Sequence, residues 1–128
     1  MHKTFLKTAA FLGALSVASG AFGAHALKER LAADVLAVYE TAIRYQFYHV
    51  FALLAVGILY KDFPNKWVHN AGKFFIAGII LFSGSLYLLT ALKGMGNDNM
   101  NWIGAITPLG GLCFILGWLF LADGFSKK

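Results

Sequence analysis

The chain has 128 residues, 59% of them hydrophobic and only 13% charged, with a mean hydropathy of +0.65. A soluble domain of ordinary composition is about a quarter charged, so that class is excluded, and four apolar segments of roughly 20 residues with short connections use up the whole length. The formal charge of +5 would suggest nucleic acid in a soluble chain. Here the lysines gather at the ends of apolar segments, which sets membrane topology instead, and nucleic-acid binding is set aside.

The chain opens with a short basic stretch carrying Lys3 and Lys7, followed by an uncharged run over residues 8–26 that is rich in small residues. Ala24, His25 and Ala26 fit the A-x-A pattern of a cleavable signal peptide. The apolar run is longer than a signal core, however, and is expected to be the first transmembrane helix. Ala9 and Gly13, Ser16, Gly20 and Ala24, and Ser19 and Gly23 recur at four-residue spacing, which lets a neighbouring helix approach closely. That pattern predicts an interior packing helix. Residues 27–41 change character: Leu31, Val35, Val38 and Ala42 repeat at helical spacing with Lys28, Glu29 and Asp34 on other faces, the pattern of a short amphipathic helix lying on the membrane surface.

The second span is expected over residues 42–60 and is the most polar, because Arg44, Gln46 and His49 enter apolar surroundings. Thr41, Arg44, Tyr45, Tyr48, His49 and Ala52 fall at steps of three and four, so they are expected to share one face that looks at protein or water. Glu40 and Arg44 are spaced as a helical ion pair. Pro64 and Asn65 mark a turn and Trp67 an interfacial anchor. The third span is expected over residues 74–92 and the fourth over 103–121, with Pro108 in its first turns where a missing amide costs least. Between them, Asn97, Asp98 and Asn99 are a calcium-loop fragment without the rest of an EF-hand pattern, and carry no calcium assignment. Cys113 lies in an apolar run and reads as a small hydrophobe.

Lys3, Lys7, Lys61, Lys66, Lys73, Lys127 and Lys128 fall on one side of this arrangement and Lys28, Arg30, Arg44 and Lys93 on the other. By the positive-inside rule both termini are expected in the cytoplasm.

With GAFGAHALK at residues 20–28, YQFYHVFALL at 45–54, LFSGSLYLL at 81–89 and ITPLGGLCFILGW at 106–118, the chain resembles the domain of unknown function 423 family. These are small membrane proteins of bacteria and, in related form, of mitochondria-bearing organisms. The resemblance covers nearly the whole chain. It implies a four-span inner-membrane protein and no activity, and its motif positions map onto His25, Tyr45, Gln46, Tyr48, His49, Ser83, Gly84, Ser85, Tyr87, Thr107, Pro108 and Gly110.

The fold expected is therefore all-α: a bundle of four transmembrane helices with an amphipathic interfacial helix between the first two, packing with copies of itself through glycine-lined faces. The topology brings His25, Glu40, Arg44, Tyr45, Tyr48, His49, Ser83, Tyr87 and Thr107 towards one half of the bundle. Polar groups facing lipid are costly, so these side chains are expected to converge on a pocket for a lipid headgroup or small ligand, with Arg44 holding its anion. Structural or accessory contacts with a partner helix are the alternative. A haem held by His25 and His49, or a quinone, is a third reading, without an attachment motif. No metal or other cofactor is expected, and Ser-His-Asp catalysis lacks a nucleophile elbow.

Overall fold

The computed structural model describes residues 1–97 and 102–127. Long apolar runs fold as helices, because in lipid the backbone must satisfy its own hydrogen bonds, and polar side chains cap the start of two of them. His2 starts α1 (Lys3–Phe22) by accepting the Phe5 amide on Nδ1 at 3.2 Å. The helix then widens into a π-helical turn, Gly23–Leu27. After a turn at 28–32, α2 runs over Ala33–Leu59 from an extended Ala32, with Asp34 in the first turn where the helix dipole favours an anion. Asn65 caps α3 (Lys66–Gly78) by accepting the amides of Trp67 and Val68 on Oδ1. A second π-helical turn, Ile79–Ser83, joins α3 to α4 (Gly84–Gly94), so the third span is one continuous helix. Gly96 takes a positive φ in the turn that follows, which L side chains rarely adopt. The last helix, α5, is Ile103–Ser126 and contains Pro108 in its second turn.

Among the described residues four helical segments are long and apolar enough to cross a membrane: Lys3–Leu27, Ala33–Leu59, Lys66–Gly94 and Ile103–Ser126. The bundle has a terminal end, where His2 donates its amide to Gly57 O and Asn65 donates to Gly124 O and Lys127 O, and an opposite, loop end.

Two expectations need correcting. Residues 27–41 do not form a helix of their own: Leu27 closes the first π turn and Ala33 onwards belongs to α2. No proline or glycine separates residue 33 from Gly57, so nothing stops the second span from extending outward, and its 27 residues give it a length of about 40 Å against a hydrocarbon thickness of about 30 Å. The amphipathic pattern thus marks the turns of α2 that extend past the bilayer core. Nor is the first helix interior. Phe5 and a stripe of Ala9, Ser16 and Gly23, seven residues apart, are its buried residues against the rest of the chain, while Phe11 is 77% exposed and Leu15, Val17 and Phe22 are also exposed.

Several of the glycines serve close contacts within the chain. On α5, Gly110, Gly117 and Gly124 recur every seven residues and face the third span: a Cβ would lie 2.3 Å from Phe82 N at Gly110, 2.6 Å from the Phe75 ring at Gly117 and 2.4 Å from Val68 Cγ2 at Gly124. Reciprocally, Gly78 receives the Phe114 ring of α5, and on another side of the third span Gly72 receives the Phe5 ring of α1. Small residues that let helices meet closely are the membrane substitute for hydrophobic collapse, since lipid is as apolar as leucine. Around this seam Phe5, Val50, Leu53, Val56, Val68, Phe75, Ile79 and Phe114 fill the core.

Candidate functional site

The inward stripe of α2 is Tyr39, Ala42, Gln46, His49, Leu53 and Val56, at alternating steps of three and four. This face is rotated by about 100°, one residue, from the face that the polar spacing suggested. Tyr39, Gln46 and His49 are consequently buried, whereas Arg44, Tyr45 and Tyr48 are exposed.

The buried polar groups satisfy one another in a ladder. Tyr87 donates its hydroxyl to Gln46 Oε1 at 2.6 Å, and Gln46 Nε2 donates to Leu12 O at 3.2 Å. Leu12 O also accepts the Ser16 hydroxyl at 2.7 Å. Nearer the loop end Tyr39 donates to Ser19 O at 2.7 Å, and the Tyr39 and Tyr87 rings meet edge to face with centroids 5.5 Å apart. Ser83, at the end of the second π turn, donates to Ala42 O at 2.7 Å, tying the third span to α2. Ser85 and Thr107 share a hydrogen bond of 2.6 Å between α4 and α5. Among the described residues no buried side-chain nitrogen or oxygen lacks a partner, as a low-dielectric interior demands.

His49 occupies a separate position, stacked on Phe114 with centroids 3.5 Å apart. Its Nδ1 lies 2.8 Å from Tyr45 O, which can only accept, and its Nε2 lies 3.1 Å from Trp118 Nε1, which can only donate. The two partners fix the tautomer with the proton on Nδ1. Both nitrogens are therefore engaged. His25 is exposed on the π turn of the first helix, so the paired imidazoles that haem ligation needs are not presented. Among the described residues no group of three or more His, Cys, Asp or Glu is placed to hold a metal ion. Asp98 and Asn99 lie outside the described residues.

Two recesses open at the loop end, one on each side of Tyr39. The larger is a chamber of about 320 Å³ between the end of the first helix, the start of α2 and the end of α4. Phe22, Leu27, Leu31 and Ala91 give it apolar walls, Arg30 brings a cation, and Tyr39, Tyr87 and Thr90 bring hydroxyls. Those three hydroxyl protons are already donated, to Ser19 O, Gln46 Oε1 and Leu86 O. The chamber thus offers acceptor lone pairs on its wall and one guanidinium as its charged donor. The second recess, about 220 Å³, lies between the first helix and α2 and contains Glu40 and Arg44. Tyr39 lines both, its ring pressed against Gly23, where a Cβ would come within 2.6 Å.

The structure therefore divides the residues expected to form one cluster. Glu40 and Arg44 share the second groove; Tyr87 joins the ladder and the chamber; Ser83 and Thr107 make interhelical bonds; His49 is sealed against α5; Tyr45, Tyr48 and His25 are exposed. His25, Arg44 and His49 do not converge, because the helix is rotated by one residue and His25 sits beyond the stripe that packs. The polar chamber residues that spacing did not select are Arg30 and Tyr39, together with Gln46 behind them. A seven-residue step links Tyr39, Gln46 and Leu53, and that repeat was the available signal.

Four apolar helices closed around a satisfied polar ladder define a multi-pass α-helical membrane protein. The chain belongs to the family described as "Protein of unknown function (DUF423)", whose model matches residues 19–111. It is 42% identical over 125 residues to a UPF0382 membrane protein of Staphylococcus saprophyticus, covering 98% of both chains. The UPF0382 membrane protein YwdK of Bacillus subtilis is 38% identical over 126 residues, again with 98% of each chain covered. A UPF0382 membrane protein of Haemophilus influenzae is 39% identical over 129 residues, covering all of this chain and 98% of its own. No solved structure matches the chain significantly.

Proposed function

We propose that this membrane protein binds an amphiphile in the loop-end chamber, an anionic head meeting Arg30 and an apolar portion lying against Leu27, Leu31 and Ala91. The observation that carries the reading is the chamber's composition: about 320 Å³ with mostly apolar walls, one cation and hydroxyls whose protons are all committed inward. Ligand sites combine such apolar walls with a few fixed polar groups, and volumes of about 300 to 1,000 Å³ are usual for them. The space holds on the order of ten water-sized groups, which suits a headgroup and a short apolar stretch better than a whole lipid. Its lining on α4 runs from Tyr87 to Gly94, about 10 Å along the helix.

The distribution of lysine and arginine supports an orientation with both termini in the cytoplasm of a bacterial inner membrane, which turns the chamber to the outer leaflet. A transport path through one protomer has little support, since the ladder beneath the chamber is closed by hydrogen bonds from Tyr87 to Leu12.

The test is a thermal-unfolding titration of the purified full chain with dodecyl phosphate in a non-ionic detergent. Binding to the folded state raises the unfolding temperature with ligand concentration. A rise in the wild type that Arg30→Gln abolishes supports the reading; an equal rise in both, or none in either, contradicts it.

A further inference from the structure

The second groove carries charges in an order that the chamber reading does not use. Glu40 and Arg44 are both exposed, stand one helical turn apart on α2, and open onto the same recess beside Gly20, Ala24 and Ile43 of the neighbouring surfaces. Lys61 marks the terminal-end boundary of this span. Counting from it, Arg44 stands about 25 Å along the helix and Glu40 about 31 Å, so a hydrocarbon core of about 30 Å encloses the guanidinium and leaves the carboxylate at its edge. Below Arg44 the exposed side chains of α2 are apolar except for Tyr45 and Tyr48: Phe51, Leu54 and Ile58 continue to the other boundary. On the first helix a Cβ at Gly20 would meet nothing within 4 Å, so the groove has depth where Arg44 needs a partner.

From the loop-end boundary inward the surface therefore reads anion, cation, apolar. A phospholipid with an aminoethyl headgroup, standing in the same leaflet, reads cation, anion, apolar: its ammonium lies outermost, its phosphate deeper and its acyl chains deeper still. We propose that this groove is a binding site for a glycerophospholipid whose headgroup ends in a primary ammonium, with Glu40 accepting from the ammonium and Arg44 donating to the phosphate oxygens. A guanidinium pairs with phosphate through two parallel N–H donors, and a carboxylate accepts one or two of the three ammonium protons. A choline headgroup has no N–H to give Glu40. A glycerol headgroup leaves Glu40 beside an uncompensated phosphate. The groove thus selects by charge order, and it is separated from the chamber by Tyr39, so the two sites stand or fall independently.

The experiment is native mass spectrometry of the full chain in detergent, titrated separately with phosphatidylethanolamine, phosphatidylcholine and phosphatidylglycerol of identical acyl chains. The wild type is expected to retain phosphatidylethanolamine several-fold more than the other two. Glu40→Gln brings it down to the phosphatidylcholine level, Arg44→Gln lowers retention of all three, Arg44→Lys recovers part of it, and Arg30→Gln in the chamber leaves the preference intact. Equal retention of the three lipids by the wild type, or a preference that survives Glu40→Gln, overturns the proposal. So does loss of the preference in Arg30→Gln, which would assign it to the chamber. A two-chain mass that falls to one chain in Glu40→Gln and Arg44→Gln, with lipid retention unchanged, assigns the groove to a second copy of the protein instead.

Discussion

Trp118 on α5 and His49 on α2 fix each other's orientation: the indole N–H reaches Nε2 at 3.1 Å while Nδ1 is held by Tyr45 O at 2.8 Å. Trp118 is about half exposed and its ring also meets Phe75 edge to face with centroids 5.0 Å apart, so this bond is the polar part of its tie to the bundle. Trp118→Phe keeps the aromatic surface and removes the donor. Interhelical hydrogen bonds in membranes average about 0.6 kcal/mol and reach about 1.7 kcal/mol. The variant is expected to lose a stability in that range, measured by unfolding in mixed micelles, and a double-mutant cycle with His49→Phe should return most of the loss as coupling.

The contact between Tyr87 and Gln46 predicts an asymmetry. Tyr87→Phe leaves Gln46 Oε1 buried without its donor, which costs about 1 to 3 kcal/mol. Replacing both partners with apolar side chains is close to neutral by the same reasoning. The double variant Tyr87→Phe with Gln46→Leu is therefore expected to be more stable than Tyr87→Phe alone, measured in the same unfolding assay.

Neighbouring glycines on α5 make a paired test of helix contact. A Cβ at Gly110 would stand 2.3 Å from Phe82 N, a backbone atom that cannot swing aside, whereas one at Gly111 meets Phe82 Cδ2 at an ordinary 3.9 Å. Overpacking of this kind costs about 1 to 3 kcal/mol. Gly110→Ala should lower the unfolding midpoint and Gly111→Ala should leave it unchanged or raise it slightly through helix propensity.

Asn65 joins two helix ends with one side chain. Its Oδ1 caps α3 and its Nδ2 donates to Gly124 O at 3.0 Å and Lys127 O at 3.1 Å. Asn65→Asp keeps the cap and loses both donations; Asn65→Ala loses everything. Loss of an N-cap costs about 0.5 to 2 kcal/mol. The alanine variant should be the less stable of the two, and hydrogen exchange should rise at the end of α5 in both but at the start of α3 only in the alanine variant.

Spans and helix class were legible because long apolar runs leave a chain in lipid one way to satisfy its backbone. Residues 8–26, 74–92 and 103–121 lie inside helical segments, and 42–60 overruns its segment by one residue, the helix ending at Leu59. Where helices turn their faces was not legible from polarity alone. In water a polar stripe points outward and an apolar one inward, but both faces of a membrane helix are apolar, and the decision passes to small residues and shape. Arg44 and Tyr48 looked like interior groups by that measure and are exposed, while the heptad of Gly110, Gly117 and Gly124 reports the true seam. Residues 27–41 misled for a related reason: amphipathic spacing signals a surface helix and an overlong span equally well. Arg30 counted towards topology but was not selected as a site residue, because it sits in a turn, where no periodicity points at it.

The central claim, that the loop-end chamber holds an amphiphile, is tested most directly by filling the chamber and weighing the protein. Ala91 lines the chamber, whereas Leu88, on the same helix, is exposed outside it. Native mass spectrometry of wild type, Ala91→Trp and Leu88→Trp, each released from membranes with its bound molecules, separates added bulk from lost space. The account predicts an adduct of one small amphiphile on the wild type and on Leu88→Trp that is missing from Ala91→Trp, whatever phospholipid the separate groove beside Glu40 and Arg44 retains. The same adduct on all three, or on none, would contradict it.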